Sequence, residues 1–109
     1  MLPKRYRLKA KKDFRRVYQK GKTLAYPCFV LYRRGSRLPE HRVGFSISKK
    51  VGNAVERNRI KRRLRELARS MPEAFSPHAD YIFVVRAAAK NATFDVLAVQ
   101  MREALKRLS

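Results

Sequence analysis

Apolar residues recur at helical spacing near both ends of the chain. Phe14, Val17 and Tyr18 fall on one helix face, which predicts a helix over residues 11–20. Near the C-terminus, Thr93 can cap a last helix. The apolar stripe of that helix consists of Phe94, Leu97, Ala98, Met101, Leu105 and Leu108. Both helices therefore present one face to a core.

The longest helical pattern lies mid-chain, between Val51 and Met71. Asn53 can accept a hydrogen bond from a first-turn amide, and Glu56 can reach back, so we predict a helix that begins at Asn53. Its apolar side chains gather on one narrow stripe, and cations occupy both flanks. Glu56 and Glu66 are its only acids, too few to neutralise those cations. The compensating negative charge must come from outside the helix.

Apolar runs between the helices predict strands. Residues 23–34 fit one strand, in which Pro27 removes a ladder donor and marks an edge or bulge. Residues 42–48 alternate between an apolar face and a small, polar one. Residues 80–86 form a nearly continuous apolar run, typical of a central strand. The element order is α-β-β-(β)-α-β-α, so we predict an α+β fold, a single two-layer α/β sandwich.

Composition then points to a polyanionic partner. The 109 residues suffice for one domain, predicted over 1–109 with a basic tail over about 1–10. Lys and Arg number 28 against 8 Asp and Glu, giving a formal net charge of +20, while 45% of residues are hydrophobic. These values are typical of a folded protein that binds nucleic acid, with an anionic membrane surface as the alternative.

The chain lacks export and membrane signals. The basic N-terminus has no apolar run of the kind found in an export signal, and no stretch is long enough to cross a bilayer. The single cysteine, Cys28, has no partner for an internal disulfide and lies in an apolar run, which predicts a buried thiol. We therefore predict a cytoplasmic protein.

Candidate catalytic groups are sparse. The eight acids are scattered singly, so no carboxylate cluster could hold the metal pair that many nucleases use. His41 and His78 lie beside turn residues, without metal-ligand spacing to another His or Cys. The sequence assigns no catalytic residue and predicts that the protein alone binds no cofactor.

Aromatic residues lie among cations in two regions. Phe14 and Tyr18 are one helical turn apart within a basic segment, and Tyr32 directly precedes Arg33 and Arg34. Such rings can stack on bases while the cations hold phosphates. The alternative for each ring is a place in the core, and for the basic helix a solvated face.

Residues 42–66, RVGFSISKKVGNAVERNRIKRRLRE, closely resemble the signature of the bacterial ribonuclease P protein subunit. In that family a strand, a lysine pair, a Gly-Asn turn and an Arg-Asn-Arg helix follow in this order. RLKAKKDFRRVYQKG and FVLY resemble the same family, so the resemblance covers essentially the whole chain. There are two departures: Ala10 cannot cap the first helix, and Tyr18 stands where phenylalanine is common.

The resemblance implies that the chain joins a large catalytic RNA and that the complex removes the 5′ leader from precursor tRNA. The catalytic centre and Mg²⁺ are then expected in the RNA and its substrate. No membrane or protein partner is implied. A left-handed crossover through the basic helix is also implied, although such crossovers are right-handed in about 98% of cases.

The resemblance also implies binding roles for particular residues. Leader contacts are expected in the cleft between the first helix and the sheet, from Phe14, Tyr18, Tyr32, Ser46, Ser48, Lys61 and Arg65. Catalytic-RNA contacts are expected before and along the basic helix, from Lys49, Lys50, Arg57, Asn58, Arg59, Arg62 and Arg63. Whether a metal ion contacts the protein is left open.

Two other functions fit less well. A ribosomal-type RNA-binding protein would share the basic helix without a role in cleavage, and composition alone does not separate it from the first hypothesis. A protein-only nuclease would need the acid cluster that the sequence lacks.

Overall fold

The computed structural model describes residues 2–108 as a four-stranded sheet with helices on both faces. The elements are α1 (Lys11–Lys20), β1 (Lys22–Ala25), β2 (Phe29–Gly35), β3 (Arg42–Ser46), α2 (Ala54–Ser70), β4 (Ala79–Val85) and α3 (Phe94–Arg107). Short 3-10 helices lie at Lys4–Tyr6, Pro72–Ala74 and Ala87–Asn91. The predicted α+β class is confirmed, and the two ends of the predicted domain, Met1 and Ser109, lie outside the described residues.

The predicted strand over residues 23–34 is two strands. β1 and β2 pair antiparallel, and the chain turns at Pro27, which has no N–H to give to a ladder. The N–H of Tyr26 donates to the carbonyl of Phe29 at 2.7 Å and closes the turn. Cys28 in this turn is buried as predicted, and burial raises the pKa of its thiol.

The strand order is β1-β2-β4-β3, so β4 is central as predicted. β2 and β4 are antiparallel, whereas β3 and β4 are parallel. Parallel neighbours need a crossover connection, and α2 lies in it. The left hand of this crossover stays a prediction drawn from the resemblance.

The two faces of the sheet are covered unequally. On one face, Phe29, Leu31 and Phe83 belong to the large core that includes buried side chains of α2 and α3. On the other face, Val17 of α1 packs with Ile82 and Leu8 in a much smaller cluster. Part of this second face is therefore left open beside α1.

The N-terminal segment is packed against the domain. Leu2 and Leu8 are 2% and 4% exposed, and the N–H of Leu8 donates to the carbonyl of Val43 at 2.9 Å. The sequence suggested a basic tail here. The segment packs on the domain instead of forming a tail because burial of its two leucines removes apolar surface from water. The lysines and arginines around them stay at the surface.

Capping and ion pairs fix the helices that matter for the site. The N–H of Glu56 donates to Oδ1 of Asn53 at 2.9 Å, and the N–H of Asn53 donates to Oε1 of Glu56 at 2.9 Å, so α2 begins as predicted. Arg42 donates to both carboxylate oxygens of Asp80, at 2.9 and 2.8 Å, and to Asp13 at 3.3 Å. This network ties α1, which lacks a side-chain cap at Ala10, to β3 and β4.

Candidate nucleic-acid interface

Phe14 packs directly on β3. A Cβ added to Gly44 would lie 2.4 Å from Cζ of Phe14, a distance that packed carbon atoms do not adopt. Only glycine lets the ring approach the sheet so closely. Phe14 is half-buried and packs against the small cluster around Val17.

Three aromatic rings follow one another across this face. The ring centroids of Phe14 and Tyr18 are 6.2 Å apart, and those of Tyr18 and Tyr32 are 4.9 Å apart in a nearly perpendicular arrangement. Tyr18 is 40% exposed. The structure thus brings together the three rings that the sequence singled out, with Tyr18 the most open to a ligand.

Two neighbouring depressions flank Phe14 and Tyr18, and together they are called the α1 cleft. One, of about 240 Å³, lies between Phe14, Gly44 and the α2 residues Lys61 and Arg65. The other, of about 660 Å³, reaches Tyr18 and Ser46, and Phe14 and Lys9 line both.

Two of the predicted leader residues stand apart from the α1 cleft. Tyr32 contacts the ring of Tyr18 in an edge-to-face arrangement but does not line the cleft itself. Ser48 is exposed beyond the end of β3, because that strand ends at Ser46.

Four further cations border the α1 cleft and were not among the predicted site residues. Arg7 and Lys9 lie where the N-terminal segment folds back along β3, and Lys11 and Arg15 lie on α1 beside Tyr18. The helical spacing of Lys11 and Arg15 around Phe14 could have shown the second pair. Arg7 and Lys9 could be assigned to the cleft only once the N-terminal segment was known to dock on β3. The only sequence signal for that docking is the pair of leucines, Leu2 and Leu8.

Positive charge in the smaller depression is uncompensated. Its described lining includes Arg7, Lys9, Lys61 and Arg65 and no carboxylate. Burial, and then the charge of Arg7, lower the pKa of the Arg65 guanidinium. The charged form of Arg65 is therefore held at a cost that a bound anion would relieve.

The outer face of α2 carries a second basic surface. Asn58, Lys61, Arg62 and Arg65 line an open depression of about 430 Å³ with Glu66, here called the α2 groove. Lys61 and Arg65 also line the α1 cleft, so one helix borders both.

The other predicted RNA-binding residues lie near the start of α2 and along it. Arg59, Lys49 and Lys50 are exposed, the two lysines in the turn before the helix, and Arg63 is half-buried. Nε of Arg57 is buried and has no hydrogen-bond partner within the described chain. A buried donor without a partner is costly to the fold.

The described residues contain no cluster of metal-ligating side chains. Between residues 2 and 108, no three His, Cys, Asp or Glu side chains come close enough to one another to hold a metal ion. His41 is stacked between Tyr6 and Phe75, and burial lowers the pKa of its imidazole. His78 is exposed, and its Nδ1 lies 2.8 Å from the carbonyl of Leu38. Over the same range, no helix is both long and apolar enough to span a membrane.

Comparison with known proteins identifies one family. A family model described as Ribonuclease P matches residues 2–109. The ribonuclease P protein component of Listeria welshimeri is 38% identical over 106 residues, covering 96% of this chain and 89% of that protein. The Staphylococcus aureus RNase P protein structure has a TM-score of 0.86 at 37% identity over 94% of each chain. The Thermotoga maritima RNase P protein has a TM-score of 0.86 at 26% identity, over 94% of this chain and 97% of that one.

Proposed function

We propose a division of labour between two surfaces from one premise: this chain belongs to the ribonuclease P family of protein components, whose role is tRNA processing. The α1 cleft receives the single-stranded 5′ leader of precursor tRNA. The α2 groove, with the lysine pair before it, contacts the catalytic RNA. The protein acts on tRNA in the cytoplasm.

The row of three rings beside uncompensated cations carries the leader assignment. A single-stranded RNA offers base faces that stack on aromatic rings and phosphates that pair with cations. Tyr18 supplies an accessible ring, and Lys61 and Arg65 supply charge on the opposite wall, with Gly44 and Ser46 between them. Duplex RNA has stacked bases that cannot reach these rings, so the cleft favours a single strand.

The assignment of the catalytic RNA to α2 rests on charge. Exposed arginines along α2 match a phosphate backbone. Because Lys61 and Arg65 border both surfaces, the two RNAs would meet along this helix.

The reaction itself is assigned to the RNA subunit. The two most central acids, Asp13 and Asp80, are both engaged by Arg42, and His41 is enclosed between rings. We expect Mg²⁺ to be held mainly by the RNA and its substrate. The protein contributes by binding and orienting the leader, which lowers the entropic cost of bringing the cleavage site into position.

Tyr18→Ala tests the leader assignment directly. Each stacked base lost should cost about 1 to 3 kcal/mol of binding free energy. Holoenzyme reconstituted with this variant should therefore bind precursor tRNA more weakly and mature tRNA as before. Phe94→Ala is the matched control, because Phe94 is 41% exposed on α3, across the sheet from α1. Equal losses of affinity for precursor and mature tRNA would mean that the leader does not bind in the α1 cleft.

The wild-type protein and the RNA subunit, measured separately and together, test the placement of catalysis. Cleavage of precursor tRNA in Mg²⁺ is expected only where the RNA subunit is present, and not from the protein alone. Cleavage by RNA-free protein that disappears on substituting Asp80 would overturn the assignment.

A further inference from the structure

A second basic depression lies on the other flank of α1, and we call it the loop groove. Its volume is about 810 Å³, and it runs between α1, the loop after β2 and the start of β4. Lys12 and Arg16 line it from α1, whereas Lys11 and Arg15 face the α1 cleft. The helix therefore separates two basic depressions, of which only one has a role so far.

Most of the charge in the loop groove lacks a partner. Five Lys and Arg side chains line it against two carboxylates, those of Asp13 and Asp80, a net charge of +3 with its histidine neutral. Arg42 binds both carboxylates. The remaining four cations have no ion pair or side-chain hydrogen bond within residues 2–108: Lys12, Arg16, Arg34 and Arg37.

The loop that carries Arg37 is held in place by hydrogen bonds on both sides. The N–H of Ser36 donates to the carbonyl of His78 at 2.7 Å, and the N–H of Leu38 donates to Oγ of Ser36 at 3.1 Å. The carbonyl of Leu38 lies 2.8 Å from Nδ1 of His78, whose backbone has a φ of 61°. A loop ordered before binding loses less conformational freedom when its ligand arrives.

The lining also limits the kind of ligand. No Phe, Tyr or Trp is among the described residues that line the loop groove, so it offers no platform for stacking bases. Unpaired guanidinium groups instead match phosphate oxygens, which they bind by paired hydrogen bonds.

We propose that the loop groove is a further RNA site, which binds the phosphodiester backbone without reading bases. This inference rests on the proposed function, because it takes RNA to be the partner of the protein. Two strands could supply the phosphates. One is the distal part of a long leader that leaves the α1 cleft and crosses α1, a helix about 10 to 12 Å wide. The other is a segment of the catalytic RNA.

The test removes the two arginines that strand β2 and its loop contribute. Arg34→Gln/Arg37→Gln deletes two charges and keeps the length of both side chains. Arg102→Gln/Lys106→Gln deletes two charges from α3, which packs on the opposite face of the sheet, and is the matched control. Arg37→Gln alone is a second test variant, because it leaves β2 intact, and melting temperatures verify that every variant folds.

Two binding measurements separate the two sources of phosphate. The first titrates each protein with the RNA subunit. The second titrates each assembled holoenzyme with precursor tRNAs whose leaders increase in length. For single-stranded RNA, losing two phosphate contacts should make the dependence of log K on log salt less steep by about 1.4. The advantage of wild type over the arginine variant should then shrink about sevenfold between 50 and 200 mM salt.

Each outcome has a distinct meaning. A loss confined to long leaders supports the distal leader as the ligand, and a loss in the first titration supports the catalytic RNA. If the arginine variants match the α3 control in both titrations, the inference is wrong. If the wild-type protein itself fails to bind the RNA subunit, the proposed function is wrong, and the inference is lost with it.

Discussion

Gly44→Ala should destabilise the fold through Phe14. The added Cβ would lie 2.4 Å from Cζ and 3.1 Å from both Cε atoms of that ring. Because ordinary contact begins near 3.4 Å, the ring must move by about an ångström or more, and overpacking of this kind costs about 1 to 3 kcal/mol. For a domain of about 100 residues, each 1 kcal/mol lowers the melting temperature by about 4 to 8 °C.

The cause can be isolated by removing the ring. A Phe14→Ala background removes the three atoms that lie nearest to the new methyl group, and the backbone of Gly44 does not have a positive φ. Alanine should then stabilise by about 0.4 to 1 kcal/mol, because it restricts the unfolded chain. Urea unfolding of the wild type, both single variants and the double variant gives the coupling free energy.

The sign of the coupling decides the outcome. We expect Gly44→Ala to be unfavourable with Phe14 present and favourable without it. If it costs the same in both backgrounds, the ring does not press on β3, and the described packing of Phe14 on Gly44 is wrong. The displaced ring should also weaken the binding of precursor tRNA by the holoenzyme.

Three further predictions concern charge, capping and pH. Arg59→Ala or Arg63→Ala should reduce the slope of log K against log salt for the RNA subunit by about 0.7 to 0.9 per lost phosphate contact; unchanged slopes would mean a merely solvated helix face. Asn53→Ala should cost about 1 kcal/mol in urea unfolding, because Glu56 loses the acceptor for its N–H. The pKa of His41 is lowered in the folded protein, so near and below its usual pKa the unfolded state binds more protons than the folded state. The free energy of unfolding therefore decreases as the pH is lowered. The urea midpoint should therefore drop between pH 7.5 and 5.5 in wild type and less in His41→Phe.

Local sequence signals were reliable where neighbouring residues determine the structure. The capping box of Asn53 and Glu56 fixes the start of α2, and the bounds of α1 follow from its apolar spacing. The central place of β4 follows from its apolar composition, since both of its faces are covered. Each of these features depends on residues within a few positions of one another.

Features that depend on distant residues were left open or missed. The order α-β-β-(β)-α-β-α allowed for the extra strand, but establishing the split at Pro27 needed the pairing of β1 with β2, and the docking of Leu2 and Leu8 needed the presence of β3. The exposure of Phe94, predicted to lie on the apolar stripe of α3, depends on where that helix meets the sheet. For the same reason, spacing alone could not show that Arg7 and Lys9 reach the α1 cleft.

The distribution of charge links the stability of the fold to its RNA partner. The formal net charge of +20 destabilises a compact chain through self-repulsion. In the smaller depression of the α1 cleft this repulsion is local, because burial, and then the charge of Arg7, lower the pKa of Arg65 and no carboxylate lines the depression. A polyanion that binds the folded state relieves the repulsion and, by mass action, raises the free energy of unfolding. Since Lys61 and Arg65 border both the α1 cleft and the α2 groove, RNA in one of them already relieves the repulsion among these cations, so a second RNA in the other gains less from them.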